Sequence, residues 1–147
     1  MSHKATGTAL AIALIFAAGA VQAQAVFIAR KALGRVQQMT QQSPSGQVET
    51  ATVILDVSAD TVYAAIRRRV AANPALKTTR VDETRRFVMY TDGQSTGAMQ
   101  VAVLGDGVSQ LLVSTVAGPG VSATPVVVAR VLAVCKEVGV ECAQAGQ

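Results

Sequence analysis

The chain has 147 residues, of which half are apolar and 15% are charged, and its formal net charge is +4. This composition excludes a disordered chain, and the length supports one modest hydrophobic core but not two. The only histidine is His3, so a chain that loses its N-terminus has no imidazole for Ser-His or Cys-His catalysis or for a zinc site.

The N-terminus has the three parts of an export signal. Lys4 provides a basic start, residues 9–21 form an apolar run, and Ala-Gln-Ala at residues 23–25 offers a cleavage site. We therefore predict a signal peptide over residues 1–25 and a periplasmic or secreted protein. The alternative is an uncleaved anchor in the inner membrane, because residues 5–29 carry no charge and are long enough to span a bilayer.

The next segment, residues 26–47, is predicted to be a basic leader and linker. Residues 26–42 could form a basic helix with a narrow apolar face, and the Ser-Pro-Ser-Gly at residues 43–46 is typical of a linker. The segment is either a flexible leader or a helix that lies on anionic lipid.

The first elements of the folded domain are a strand and a helix. Residues 49–57 are rich in β-branched residues and alternate between two faces, which predicts a strand. Ser58 is a favourable N-cap and Asp60 complements the helix dipole, so residues 59–72 should form a helix. The Asn-Pro at residues 73–74 should end it.

Four more strands and a closing helix should follow. Turn residues separate the four strand segments, which are residues 75–82, 86–91, 97–104 and 108–116. Asp106-Gly107 marks a tight hairpin between the last two strands. Thr124 and Pro125 suit an N-cap and the first helical position, so a mostly apolar, buried helix should run from there to Val138.

This order, β-α-β-β-β-β-α, predicts a two-layer α+β domain. We expect a five-stranded, mainly antiparallel sheet with both helices on one face. The domain is predicted to occupy residues 48–142, followed by a tail over residues 143–147.

Cys135 and Cys142 are predicted to form a disulfide at the end of the last helix. Gly139 suits the left-handed position after a helix, and the reversal of the chain there would bring the two thiols together. The alternative, a redox pair, lacks the Cys-x-x-Cys spacing. A disulfide requires an oxidising compartment, so the bridge and the export signal support each other.

Motifs for catalysis and cofactor binding are missing from the sequence. It contains no G-x-G-x-x-G, no P-loop and no G-x-S-x-G elbow, and its acidic pairs lie at caps and turns. We therefore expect no enzymatic activity, no cofactor and no metal. We expect no nucleic acid as a partner, because the protein is exported and its positive charge is small.

An arginine-rich region is a candidate contact for an anionic surface. Its members are Arg67, Arg68, Arg80, Arg85 and Arg86. Anionic lipid, lipopolysaccharide or an acidic protein could bind there. The alternative is structural, because Arg67 and Arg69 flank opposite edges of the apolar stripe of their helix and lie near its C-terminus, where positive charge is favourable.

The sheet face away from the helices is a candidate interaction surface. We expect Phe87 and Met89 on the helix-covered face. The opposite face should then present Ile54, Val88, Tyr90 and Leu112. Such a surface could be a homodimer seam or could bind a partner protein. Alternatively, the sheet and the last helix could enclose a cavity for a hydrophobic ligand.

Residues 53–63, with the sequence VILDVSADTVY, resemble the opening of helix-grip domains, the group that includes START, Bet v 1 and polyketide cyclase-like proteins. In that group a strand leads through a short step into a helix, and a long final helix closes the fold. The resemblance implies binding of lipids or other apolar ligands. The chain also resembles small exported bacterial proteins without an assigned activity. Neither resemblance carries over a functional residue.

The sequence thus predicts a small exported, non-enzymatic domain that binds a protein partner or a component of the cell envelope. The alternative is a carrier of a small hydrophobic ligand.

Overall fold

The computed structural model describes residues 33–43, 46–120 and 122–144. The predicted signal peptide, residues 26–32 of the predicted leader and the last three residues of the predicted tail lie outside this part of the chain. Within it, the chain forms seven strands and two helices. The strands are β1 (Arg35–Ser43), β2 (Gly46–Leu55), β3 (Lys77–Asp82), β4 (Phe87–Thr91), β5 (Ser95–Gly105), β6 (Val108–Ala117) and β7 (Ala143–Gln144), and the helices are α1 (Ala59–Ala72) and α2 (Thr124–Val138).

The strands form one sheet in the order β3-β4-β5-β6-β2-β1-β7. Neighbouring strands are antiparallel, apart from the short parallel pair of β1 and β7. The predicted α+β class is therefore confirmed. The predicted number of five strands is wrong, because β1 and β7 come from segments that we expected to be linker and tail.

β1 replaces the predicted helix and linker from Arg35 onwards. Residues 37–43 pair antiparallel with residues 46–52 of β2, and Val36 is buried in the core. The inward positions of β1 after Val36 are polar, so its sequence shows neither a helical nor a strong strand pattern. Backbone pairing with β2 stabilises this strand, and local hydrophobicity could not indicate it.

Helix α1 has the predicted bounds. The Ser58 hydroxyl accepts a hydrogen bond from the Thr61 backbone N–H at 3.3 Å, which caps the N-terminus. Val62, Ile66 and Val70 recur along one side and are buried, as their spacing predicts. The helix ends at Asn73, directly before Pro74.

Helix α2 ends as predicted, and its N-cap lies one residue before the predicted one. Ala123, and not Thr124, occupies the N-cap position, where it makes no side-chain capping bond. At the other end Gly139 has φ of 76°, and the Val140 N–H donates to the Cys135 carbonyl at 3.0 Å. This reversal allows the predicted disulfide between Cys135 and Cys142, with sulfur atoms 2.07 Å apart.

Both helices pack on one face of the sheet, and a continuous hydrophobic core lies between the two layers. Its largest fully buried side chains include Val53, Leu55, Ile66, Tyr90, Leu111 and Val131. In the part of the chain that the structure describes, neither helix is long and apolar enough to cross a bilayer.

Strand β4 presents the opposite face from the one predicted. Val88 and Tyr90 are fully buried on the helix-covered face, and Phe87 and Met89 lie on the other. The prediction that Val88 and Tyr90 belong to an interaction surface is therefore wrong. Both faces of this strand are apolar, so its sequence could not decide which face points inwards, and an error of one residue exchanges the two faces.

Candidate binding site

A cavity of about 360 Å³ lies between the end of α1, helix α2 and the β4–β5 side of the sheet. Its size is within the range of small-molecule sites, roughly 300–1,000 Å³. The aliphatic part of its wall consists of Val70, Ala75, Leu76, Met99, Ala129 and Ala133. The polar part consists of Arg69, Asn73, Tyr90, Asp92 and Arg130. Several of these residues are exposed, so the cavity opens to solvent.

Arg130 is the central charged group of this site. It projects from α2, and its side chain is 16% exposed. Its Nη1 donates a hydrogen bond to the Thr115 hydroxyl at 2.8 Å, and its guanidinium carbon lies 5.0 Å from the centre of the Tyr90 ring. A mostly buried positive charge needs such partners, because it has lost most of its hydration. These contacts fix the guanidinium at the wall of the cavity.

Gly97 leaves space in the sheet for the Arg130 guanidinium and the Tyr90 ring. It lies directly opposite Tyr90 in the pairing of β4 with β5, and opposite Thr115 in the pairing of β5 with β6. A Cβ atom at this position would lie 2.6 Å from Nη1 of Arg130 and 2.7 Å from Cε2 and Cζ of the Tyr90 ring. The ring and the guanidinium therefore occupy space that only a glycine leaves free.

The Tyr90 hydroxyl is buried, and none of the described residues makes a well-aligned hydrogen bond to it, although the Arg130 guanidinium lies close by. Burial raises the pKa of this phenol, and the nearby Arg130 guanidinium opposes the shift. The hydroxyl is therefore protonated at neutral pH and able to donate. Leaving a buried hydroxyl unpaired costs about 1–3 kcal/mol, so the site contains a polar group that folding alone does not satisfy.

Asp92 is the acidic neighbour of Arg130, and the β4–β5 turn holds it in place. Its carboxylate accepts hydrogen bonds from the backbone N–H groups of Ser95 and Gln94 at 2.7 and 2.9 Å, and from the Ser95 hydroxyl at 2.9 Å. These bonds, with a smaller contribution from Arg130, lower the pKa of Asp92. The nearest ion-pair distance, from Asp92 Oδ2 to Arg130 Nη2, is 3.8 Å, too long for a hydrogen bond. Asp92 thus neutralises only part of the positive charge of Arg130.

Arg69 adds positive charge at the opening of the cavity. Its Nη1 lies 3.9 Å from Oε2 of Glu137, with both side chains partly exposed. Pairs of this kind are weak because solvent screens them. The wall of the cavity therefore contains two arginines and one aspartate.

The five arginines predicted as an anionic-surface contact lie elsewhere, and acidic residues are interspersed among them. Four of them face carboxylates: Arg67 faces Glu83 at 3.8 Å, Arg68 faces Glu137 at 3.6 Å, Arg85 faces Asp82 at 3.8 Å, and Arg86 faces Asp60 at 2.7 Å. The fifth, Arg80, lies 6.0 Å from the Phe87 ring centre. Nearby carboxylates thus offset much of the charge that would attract an anionic surface, and binding there stays a prediction.

Ile54 and Leu112 are half-buried on the uncovered sheet face, as predicted. Met39 of β1 joins them on this face and is 61% exposed. Phe87 and Met89 take the places of Val88 and Tyr90 on this face, so it keeps half-buried apolar side chains, and the docking of a partner there stays a prediction.

Sequence reasoning did not identify Arg130, Asp92 or Gly97 as site residues. Arg130 did give a signal, because it is the one charge in the middle of a helix that is predicted to be buried and whose other charges, Lys136 and Glu137, lie at its end. Gly97 gave another, since a glycine within a strand often marks a close approach by another group. Among the described residues, no group of three His, Cys, Asp or Glu side chains is arranged to hold a metal ion.

No protein-family model matches this sequence, and no curated protein matches it. Among solved structures, the crystal structure of CalU16 from Micromonospora echinospora is similar, with a TM-score of 0.52 and 14% sequence identity. The similarity covers 71% of this chain and 83% of CalU16. At this identity, the comparison shows a shared α+β fold and carries no information about activity.

Proposed function

We propose that this protein is an exported carrier of a small, mostly apolar ligand that binds in the cavity between α1, α2 and the β4–β5 side of the sheet. The observation that carries the proposal is the composition of the cavity wall, in which six aliphatic side chains lie beside five polar ones. This is the usual composition of a small-molecule site, where apolar area provides affinity and polar groups fix orientation.

The polar groups suit binding better than proton transfer. The Arg130 guanidinium offers hydrogen-bond donors and no acceptor, which suits it to holding an anion. The pKa of Asp92 is lowered, so its carboxylate stays ionised. A general acid or base works best when its pKa is near the operating pH, and the lowered pKa of Asp92 moves this carboxyl away from it.

Ligand binding is favoured here over the docking of a partner protein. Two of the four residues of the partner hypothesis, Val88 and Tyr90, are in the core, and the apolar side chains that replace them on the outer face, Phe87 and Met89, are of a kind that is ordinary on protein surfaces. The cavity, in contrast, has the volume for a small molecule, an apolar part of its wall and a guanidinium held in place by its contacts.

The disulfide supports the exported location. Cys135 and Cys142 are bridged, and such bonds persist mainly in oxidising compartments. The predicted signal peptide points to the same compartment. Thiol labelling of the protein in its host would contradict this location if both cysteines were found reduced.

Native mass spectrometry of the protein purified from its own host tests the proposal. We expect the wild-type protein to retain an apolar molecule. Ala133→Phe should abolish retention, because its ring would fill the cavity from α2. Ala64→Phe is the matched control, since Ala64 is exposed on α1 and does not line the cavity. A wild-type chain that is consistently empty would contradict the carrier function.

A further inference from the structure

We propose that the ligand is an aliphatic monocarboxylate, whose carboxylate is bound by the Arg130 guanidinium and the Tyr90 hydroxyl. This inference rests on the proposed carrier function and specifies the class of its ligand. Three features of the cavity support it: the free donors of Arg130, the unpaired Tyr90 hydroxyl and the balance of charge.

Arg130 has N–H groups available for a ligand. A guanidinium carries five N–H donors in a planar fork, and one of them is used by Thr115. Asp92 does not take up the others, because it is 3.8 Å away and held by the β4–β5 turn. The guanidinium fork matches the two oxygens of a carboxylate, and such bidentate pairs are among the strongest hydrogen-bonded contacts in proteins. Contact with Tyr90 and Thr115 orients this fork before the ligand arrives.

The Tyr90 hydroxyl provides a second donor at the same place. Tyr90 is fully buried, lines the cavity and lies against Arg130, yet none of the described residues makes a well-aligned hydrogen bond to its hydroxyl. Buried hydroxyl groups are nearly always hydrogen-bonded in native proteins, so an unpaired one requires an explanation. A ligand carboxylate at Arg130 would accept its hydrogen bond and remove this deficit.

The charges favour a monoanion. Arg69 and Arg130 contribute two positive charges to the wall, and Asp92 contributes one negative charge. Glu137 lies beside Arg69, but it also faces Arg68, so these two further charges cancel and the balance is unchanged. One carboxylate neutralises the difference, whereas a phosphate dianion would exceed it. Apart from Asn73, the remaining wall is aliphatic, and Tyr90 is its only ring. An unbranched alkyl chain fits this wall without needing aromatic partners for stacking.

Isothermal titration calorimetry with decanoate and decan-1-ol at pH 7 tests the inference, because the two probes share a chain and differ in charge. We expect decanoate to bind at least about tenfold more tightly, since one hydrogen bond to a charged group contributes about 1.5–3 kcal/mol. Arg130→Gln should remove this preference, so that the two probes bind with similar affinities. Ala133→Phe should abolish binding of both probes, and Ala64→Phe should retain it.

Tyr90→Phe separates a ligand-binding role from a structural one. The change keeps the ring beside Arg130 and removes only the unpaired hydroxyl. We expect decanoate to bind about threefold to tenfold more weakly, while the urea midpoint is unchanged or higher. Unchanged decanoate affinity in this variant would overturn the role of Tyr90.

Equal binding of the two probes would overturn the carboxylate inference and leave the carrier function standing. Failure of decanoate to bind at all would also overturn the inference. The carrier function is judged separately by the molecule retained from the host.

Discussion

The geometry around Gly97 can be tested by adding a single methyl group. In Gly97→Ala, the new Cβ would lie 2.6 Å from Arg130 Nη1 and 2.7 Å from two atoms of the Tyr90 ring. Carbon atoms of real proteins do not approach this closely, so a neighbour must move. The end of an arginine side chain can shift, but the Tyr90 ring is fully enclosed by the core.

Two opposing effects determine how much Gly97→Ala changes the free energy of unfolding. Replacing glycine by alanine in an ordinary strand conformation stabilises a protein by about 0.4–1 kcal/mol, because the unfolded chain loses freedom. Overpacking of a core costs about 1–3 kcal/mol, and loss of the hydrogen bond from Arg130 to Thr115 adds about 1.5 kcal/mol. The costs exceed the gain, and we expect a net destabilisation of about 2 kcal/mol.

Urea unfolding with the disulfide intact measures this effect. With a slope of about 2 kcal/mol per molar urea, the midpoint should fall by about 1 M without a change in slope. In a Tyr90→Leu background, which lacks the ring, the same substitution should cost much less. A Gly97→Ala protein as stable as the wild type, or an equal cost in both backgrounds, would refute the proposed packing.

Three further predictions concern the disulfide, the turn and the surface. Replacing Cys135 and Cys142 by serine together should lower the free energy of unfolding by about 2.5 kcal/mol, the loop-closure value for so short a loop, and an unchanged urea midpoint would contradict this. The lowered pKa of Asp92, compared with 3.8 for a free side chain, means that its contribution to stability is present above pH 4 and is lost as the pH falls through the folded-state pKa. The stability of Asp92→Asn should therefore depend less on pH between 7 and 2 than that of the wild type, and parallel pH profiles would disprove the role of this carboxylate. Arg68→Ala should change the unfolding free energy by less than about 0.5 kcal/mol, because its pair with Glu137 is mostly exposed, and a larger loss would indicate a contact that the distances do not show.

The elements that could be predicted well are those with local physical signals. Helix α1 has a capping serine, a regular apolar stripe and a proline stop, and its predicted bounds are correct. The end of α2 follows from Gly139, and the disulfide follows from that end. In each case, residues close together in sequence determine the conformation.

The elements that could not be predicted depend on distant partners. The inward positions of β1 after Val36 are polar, and its pairing with β2 determines that it is a strand. The inward face of β4 depends on its register with β5, since both of its faces are apolar. The binding site combines both difficulties, because Arg130, Tyr90 and Gly97 lie on three elements and meet only when the register and the packing of α2 are correct.

The parallel pairing of β1 with β7 has a practical consequence for work with this protein. The Ala143 N–H donates to the Gly34 carbonyl at 2.8 Å, so both ends of the described fold leave the molecule at the same sheet edge. Strand β4 lies four positions from β1 in the sheet, a separation of about 19 Å at the usual strand spacing of about 4.8 Å. An affinity tag, a surface linkage or a lipid tether that is joined directly at Leu33 or Gln144 would therefore start at the sheet edge away from the cavity.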